Sequence, residues 1–105
     1  MGLKRADLPS VGVTGFQVLL FLYAISSNSP FPCAEIYELL ANILGLTQSQ
    51  ENLEMRRDKR NHWQNRVQYA KRKLVREGLV TTPRNGQWLI TAKGIQAIKV
   101  MKEPI

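Results

Sequence analysis

Apolar residues at helical spacing mark the centre of this chain. After residue 60, four of them recur at intervals of three and four residues, which is the spacing of one buried helix face. They are Trp63, Val67, Ala70 and Leu74. Gly78 follows at the position where helices commonly end in a glycine. The pattern therefore predicts a helix from about Asn61 to Gly78, with one apolar stripe and a polar opposite face.

Upstream, a strongly apolar run predicts a first helix that lies in the core. Thr14 fits a capping box in which Gln17 reaches back to the N-cap. The helix is predicted from about Gly15 to Ser26, and it is apolar nearly all round, which is typical of a central helix. Residues 1–13 are predicted to form a flexible or extended lead-in, which leaves 14–105 as the folded domain.

Two more helices are predicted before the basic segment. The first, Cys33–Leu44, is followed by Gly45 as its terminating residue. Its predicted inner face consists of Ile36, Leu39, Leu40 and Ile43. A capping box at Thr47, to which Gln50 can reach back, predicts a short helix to about Met55.

A β-hairpin is predicted directly after the basic helix. Two short β-rich runs flank Asn85-Gly86, the strongest short signal for a tight hairpin turn. In the second run Trp88 and Ile90 share one face, which is expected to be core. Thr91 can then cap a last helix, Ala92 to about Lys102. Its inward positions are predicted to be Ile95 and Ile98.

A helix with a polar outer face, followed at once by a basic-tipped hairpin, predicts a winged helix-turn-helix. The expected fold class is mostly α with a small β-hairpin wing (α+β). In such a fold a short strand often lies in the turn-rich connection after the first helix, here residues 26–32.

The charge is concentrated in one segment. The chain has 15 Lys and Arg against 8 Asp and Glu, a formal net charge of +7. Residues 56–76 hold 9 of those basic residues and 1 of those acids, a net of +8, so the remainder carries −1. A near-neutral body with one basic segment is the electrostatic footprint of a nucleic-acid binder. A membrane surface would need an exposed apolar stripe beside the charges, whereas this stripe is predicted to be core.

The sequence offers little for catalysis or metal binding. Its single cysteine, Cys33, and single histidine, His62, lie in different predicted elements, so no Cys–His or zinc site can be assembled. A glycine-rich phosphate loop is missing, and the acids are too sparse for a metal-dependent nuclease. We therefore expect a binding protein that is not an enzyme and has no cofactor. The apolar run Phe16–Ile25 is too short to cross a membrane, which favours a cytoplasmic protein.

Double-stranded DNA is the partner that this chemistry fits. Asn and Gln can pair bidentately with adenine in the major groove, and Lys and Arg neutralise phosphates. The candidates for base edges are Asn61, Gln64, Asn65 and Gln68. The candidates for phosphate contacts are Lys59, Arg60, Lys71 and Arg72. At the wing, Arg84 and Asn85 are predicted to touch the adjacent backbone or minor groove.

Three of the polar residues have alternatives of equal weight. Asn61 has the spacing of a helix N-cap as well as the chemistry of a base reader. Arg66 lies near the edge of the apolar stripe, where a structural salt bridge or stacking contact is as well supported as a DNA contact. His62 fits a phosphate contact or a plain surface position.

An ordered set of short motifs carries a family resemblance. The motifs are Leu44-Gly45-Leu46, Trp63-Gln64-Asn65-Arg66-Val67-Gln68-Tyr69-Ala70, Leu74 with Gly78-Leu79, and Gly86-Gln87-Trp88-Leu89-Ile90-Thr91 with Gly94. Over about Phe16–Ile98 the chain resembles the N-terminal winged-helix domain of Mrr-type restriction endonucleases. It departs from that pattern at Tyr69, where the family usually has tryptophan, and at Asn85, where an arginine usually precedes the wing glycine.

The resemblance implies DNA targeting, in this family often of modified DNA, as part of a host-defence restriction system. The family's nuclease domain follows this domain along the chain and is not within these 105 residues. The expectation is therefore either the DNA-recognition part of a longer nuclease or a stand-alone relative.

Two other functions remain open from the sequence. A small winged-helix transcription regulator would be a homodimer reading paired half-sites, with the first or last helix as the dimer face. A protein–protein interaction module would use the same surfaces for a protein partner and would bind DNA weakly at moderate salt.

Overall fold

The structure is a computed structural model, and it describes residues 8–26, 28–52 and 61–102. Within these ranges the chain forms five helices and three short strands. In chain order they are α1 (Val11–Ile25), β1 (Phe31–Pro32), α2 (Cys33–Ile43), α3 (Gln48–Glu51), α4 (His62–Arg76), β2 (Val80–Arg84), β3 (Gln87–Ile90) and α5 (Ala92–Lys102). The predicted fold class is confirmed, because the fold is mostly helical with a small antiparallel sheet in a winged-helix-like arrangement.

The sheet joins the hairpin to the connection after α1. Its order is β1-β3-β2, and both pairings are antiparallel, with Phe31 opposite Trp88 and Val80 opposite Ile90. The N–H of Cys33 also donates to the carbonyl of Gly86 at 2.8 Å. The start of α2 is therefore tied to the tip of the hairpin, which we call the wing (residues 80–90).

The core lies where α1, α2, α4 and the sheet meet. All four apolar residues predicted for α4 are buried, as are Trp88 and Ile90 of the wing. Helix α1 packs closely on α4: a Cβ atom placed on Gly15 would lie 3.7 Å from the Cβ of Ala70. This packing turns the opposite, polar face of α4 outward.

Helices α2 and α4 each end next to the glycine that the sequence predicted as the terminating residue. Gly45 and Gly78 have φ of 72° and 79°, the left-handed region that only glycine enters without strain. After α4, Gly78 N donates to Val75 O and Leu79 N donates to Leu74 O, the paired bonds of a Schellman motif. The sharp end of α4 allows β2 to begin two residues after that glycine.

The predicted start of the first helix was wrong. Helix α1 begins at Val11, and Ser10 caps it by accepting a hydrogen bond from Val13 N at 3.1 Å. Thr14 lies inside the helix and is fully buried, so its hydroxyl does not cap. Part of the predicted lead-in, residues 11–13, is therefore helical.

The predicted inner face of α2 was half wrong. Ile36 and Leu40 are buried, but Leu39 is 38 % exposed and Ile43 is 59 % exposed. The buried face instead turns toward Ala41, which is fully buried. It does so because α2 packs against both α1 and α4, and the backbone of Tyr37 receives a hydrogen bond from Trp63 on α4.

The remaining helix predictions hold, with one shorter element. The capping box at Thr47 and Gln50 is present, but α3 ends at Glu51, and Met55 lies outside the described residues. Thr91 caps α5 by accepting from Gly94 N at 3.0 Å. The two inward residues of α5 pack as predicted, with Ile98 buried and Ile95 partly buried against the core.

Candidate functional site

The outward face of α4 forms the floor of two adjoining concavities. We call the first the helix groove, which has a volume of about 280 Å³ and lies between α2 and α4. It is lined by Tyr37, Asn61, Gln64, Asn65, Gln68 and Arg72. We call the second the wing groove, which has a volume of about 210 Å³ and lies between α4 and the wing. Its polar lining includes Gln68, Lys71, Thr82, Arg84 and Asn85.

The two grooves bring together most of the residues that the sequence singled out. All four candidates for base edges line the helix groove, together with Arg72. Lys71 and both wing candidates line the wing groove. Gln68 borders both, so it is the residue at which the two grooves join. Lys59 and Arg60 lie outside the described residues.

Asn61 caps the N-terminus of α4, which was one of its two predicted roles. Its Oδ1 accepts a hydrogen bond from Gln64 N at 2.9 Å, and its Nδ2 donates to the carbonyl of Glu51 at the end of α3. Both ends of the amide are therefore engaged inside the protein. The cap satisfies a helix N–H that would otherwise lack a partner, and it fixes α3 against the start of α4.

The side chain of Gln68 is held by Tyr37 of α2, a residue that no sequence motif indicated. Its Nε2 donates to the hydroxyl of Tyr37, and Tyr37 is in turn fixed because its backbone carbonyl accepts from Trp63 Nε1 at 2.7 Å. Burial raises the pKa of Tyr37 above its ordinary value, and the hydrogen bond from Gln68 opposes that shift in part. No local signal marked Tyr37, because its partner lies 31 residues away in the chain.

Gln64, Asn65 and Arg72 are three further polar side chains that line the helix groove. Gln64 and Arg72 are exposed, and Asn65 is half-buried. Within the residues that the structure describes, the side-chain amides of Gln64 and Asn65 make no hydrogen bond to the protein. The guanidinium of Arg72 lies 5.8 Å from the ring centroid of Tyr69, one turn back on the same helix. That cation–π contact holds the charge at the rim of the groove.

The wing groove is cationic along both of its sides. Lys71 Nζ lies 6.0 Å from the ring centroid of Trp88, and Trp88 is only 2 % exposed. Lys71 therefore covers the tryptophan, and the indole face is not open to a ligand. Opposite it, Arg84 and Asn85 are exposed at the tip of the wing. The groove can accept a small anion between the helix and the wing.

Arg66 makes a hydrogen bond inside the protein, a structural contact of a different kind from the salt bridge or stacking that the sequence offered as one alternative. Its guanidinium donates to the carbonyl of Pro9, directly before α1. This contact joins α4 to the segment that contains the buried Leu8. It lies on the flank of α4 away from the two grooves.

The structure gives no sign of a metal centre or a membrane span in the ranges that it describes. Over residues 8–26, 28–52 and 61–102, no group of three or more His, Cys, Asp or Glu side chains could hold a metal ion. Over the same ranges, no helix is both long enough and apolar enough to cross a membrane.

Comparison with known proteins gives one result. Residues 17–100 match the family described as the Mrr N-terminal domain, which covers most of the chain. No curated protein and no solved structure matches the chain.

Proposed function

Since the chain belongs to the Mrr N-terminal domain family, we propose that it binds double-stranded DNA. The observation that carries the proposal is the continuous polar and cationic surface of the two grooves, on the side of α4 that faces away from the core. In this function α4 enters the major groove, which is about 12 Å wide and admits one α-helix. The wing then lies against the adjacent backbone or minor groove.

Gln64 and Asn65 are the leading side chains for base edges. They lie in the first turn of α4, they are at least partly exposed, and their amides are not used inside the described protein. The N-terminal turns of a recognition helix are the part that reaches base edges in helix-turn-helix proteins. Asn61 contributes by capping the helix, and Gln68 acts from the junction of the grooves.

Lys71 and Arg72 are proposed to contact phosphates, and Arg84 and Asn85 are proposed to touch the adjacent backbone or minor groove from the wing. Lys71 and Arg84 approach the wing groove from opposite sides, so a single phosphate there would meet two cations. Arg72 extends the same charge to the rim of the helix groove. Lys59 and Arg60 keep their sequence-based assignment to phosphates just before α4.

The family membership also supports the wider context. We propose that this domain has no catalytic activity of its own and serves DNA recognition in a host-defence restriction system in the cytoplasm. A nuclease domain in a longer chain would cut the DNA that this domain selects.

The test is binding of a labelled random-sequence duplex across a salt series. With roughly six phosphates neutralised, log affinity should fall with log salt at a slope of about −5. The double change Lys71→Ala and Arg72→Ala should weaken binding across all sequences and flatten the slope by about 1 to 2.

The matched control removes two positive charges elsewhere, by Lys73→Ala with Lys99→Ala. Lys73 is exposed on α4, but at about 100° per residue it is turned roughly 200° from Lys71, and Lys99 is exposed on α5. The control should leave the salt slope nearly unchanged. Absence of binding at low salt would refute DNA binding and favour a protein–protein module. Equal slope changes in both double variants would refute the phosphate assignments.

One observation favours a dimeric transcription regulator as a second candidate. Ile25 of α1 and Ile43 of α2 are 64 % and 59 % exposed, and they line a small apolar groove with Leu20 and Phe21. An uncovered apolar groove beside the first helix could serve as a dimer face. Gel filtration with light scattering separates the two functions, because a tight dimer at micromolar concentration favours the regulator.

A further inference from the structure

We infer that Tyr37 is a positioning residue that decides which base Gln68 recognises. By fixing the orientation of the Gln68 amide, it makes this position select adenine over guanine. The inference rests on the proposed DNA binding and deepens it, because it names the base and the pair of residues that choose it.

The Gln68 side chain presents different chemistry in its two amide orientations. An amide has an acceptor oxygen and a nitrogen with two N–H groups, and a rotation of 180° exchanges them. Here Nε2 donates one N–H to the Tyr37 hydroxyl. The remaining edge carries Oε1 and the second N–H, and within the described ranges no protein group donates to Oε1.

The Tyr37 hydroxyl is arranged to accept from Gln68. A phenol oxygen carries two lone pairs, and one of them accepts the N–H of the Gln68 amide. Burial raises the pKa of Tyr37, so this hydroxyl stays neutral throughout the usual pH range.

The anchor itself is rigid. The backbone of Tyr37 is fixed to α4 by the hydrogen bond from Trp63, and its neighbour Ile36 is fully buried. Gln68 and Trp63 are on the same helix, so both ends of the contact belong to one packed α2–α4 unit. The amide is therefore oriented before any ligand arrives, which lowers the entropy cost of a specific contact.

The orientation determines the base. An exposed edge with one acceptor and one donor matches N6 and N7 of adenine in the major groove. The reversed orientation would expose two N–H donors, which match O6 and N7 of guanine. The hydrogen bond from Nε2 to the Tyr37 hydroxyl holds the first orientation, so the pair favours adenine over guanine.

The experiment is selection from a pool of randomised duplexes, followed by affinity measurements on the enriched sequence with adenine or guanine at the Gln68 position. The wild type should prefer adenine at one position by at least about fivefold. Tyr37→Phe should bind a random duplex within about twofold of wild type and lose about threefold to tenfold of the adenine preference.

Two controls separate positioning from a general structural effect. In a Gln68→Ala background, Tyr37→Phe should have no further effect on the adenine preference, because the coupling passes through the amide. Tyr69→Phe removes the hydroxyl of an exposed tyrosine on the same helix and should change nothing.

The outcomes also separate this inference from the proposed function. Salt-dependent binding of random duplexes without an adenine preference overturns the inference and leaves DNA binding intact. An equal loss of preference on Tyr37→Phe in the presence and absence of Gln68 likewise overturns it. Failure to bind any duplex overturns both.

Discussion

Gly94 is the position where one added methyl group should have the largest effect on stability. It is buried near the start of α5, which packs against α1 and the last wing strand. A Cβ atom there would lie 2.3 Å from the carbonyl oxygen of Leu79, 2.7 Å from Ile90 Cγ1 and 3.2 Å from Leu19 Cδ1. All three distances are shorter than the roughly 3.5 Å at which nonbonded atoms pack, and the first two are far shorter.

The closest of these contacts cannot be relieved by a side-chain rotation, because the Leu79 oxygen belongs to the backbone. That same oxygen accepts a hydrogen bond from Thr91 N at 3.0 Å, so moving α5 away would stretch a bond that holds the helix start. Overpacking of this kind costs about 1–3 kcal/mol, and the strained hydrogen bond adds about 1 kcal/mol. The better helix propensity of alanine offsets about 1 kcal/mol.

We therefore expect Gly94→Ala to lower the free energy of unfolding by about 1–3 kcal/mol. For a domain of this size the loss corresponds to a decrease in Tm of about 4–24 °C. Thermal and urea unfolding followed by circular dichroism would measure both quantities.

The matched control is Gly12→Ala in the first turn of α1. There the nearest atom to an added Cβ is Ser10 Oγ at 3.9 Å, and the position is exposed. The control should cause no loss and a gain of up to about 1 kcal/mol. A Gly94→Ala protein that unfolds within about 2 °C of wild type would show that α5 does not approach Leu79 as closely as described.

Three further predictions address buried polar groups. Thr14→Val should raise the free energy of unfolding by about 1 kcal/mol, since Thr14 Oγ1 is buried with no hydrogen-bond partner in the described chain; a loss in urea unfolding would contradict this. Asn61→Ala should lower it by about 1–2 kcal/mol through loss of the cap, whereas Asn61→Asp, which keeps the acceptor for Gln64 N, should lose less. Because the folded-state pKa of Tyr37 is raised, its contribution to stability is complete below about pH 10 and is lost as the pH rises through the folded value. Absorbance titration of tyrosinate should show one of the three tyrosines ionising last, and Tyr37→Phe should remove that step.

The sequence predicted those parts of the fold that depend on local spacing. The stripe of α4, its terminating Gly78 and the wing alternation at Trp88 and Ile90 were all confirmed. Each is a property of a few consecutive residues, since side-chain direction follows directly from the helix or strand period. The sequence motif includes Gly94, but it does not show why a glycine is required there. The reason is the backbone carbonyl of Leu79, which an added Cβ atom would approach too closely.

The errors occurred where the local sequence allowed two positions for the same role. Packing against distant parts of the chain then decided between the two positions. Ser10 and Thr14 both have residue types that cap helices, and Thr14 even has the matching Gln17. Thr14 is buried instead, and Ser10 remains at the surface as the cap. In α2, the choice between Leu39 and Ala41 as the buried position likewise depends on where α4 lies.

The candidate site shows the same division between local and long-range information. Helical spacing predicted that Asn61, Gln64, Asn65 and Gln68 would share a surface, and all four line one groove. The sequence offered the capping role of Asn61 as one alternative. It could not predict that Nδ2 of Asn61 and the amide of Gln68 are engaged as well, because their partners are Glu51 and Tyr37, 10 and 31 residues away.

Whether an amide is hydrogen-bonded inside the protein determines the kind of recognition that it can provide. A tethered amide such as Gln68 presents one fixed edge, so it can reject a wrong base whose pattern it fails to match. Untethered amides such as Gln64 and Asn65 can rotate to suit several bases, so they add affinity with less discrimination. If the domain binds DNA as proposed, sequence selectivity should therefore be concentrated near the junction of the two grooves, and tolerance near the first turn of α4. Substitution of Gln64 by alanine should then lower affinity evenly over the enriched sequences, whereas substitution of Gln68 should relax one position. The opposite assignment of effects would show that the tether at Tyr37 serves the fold and not recognition.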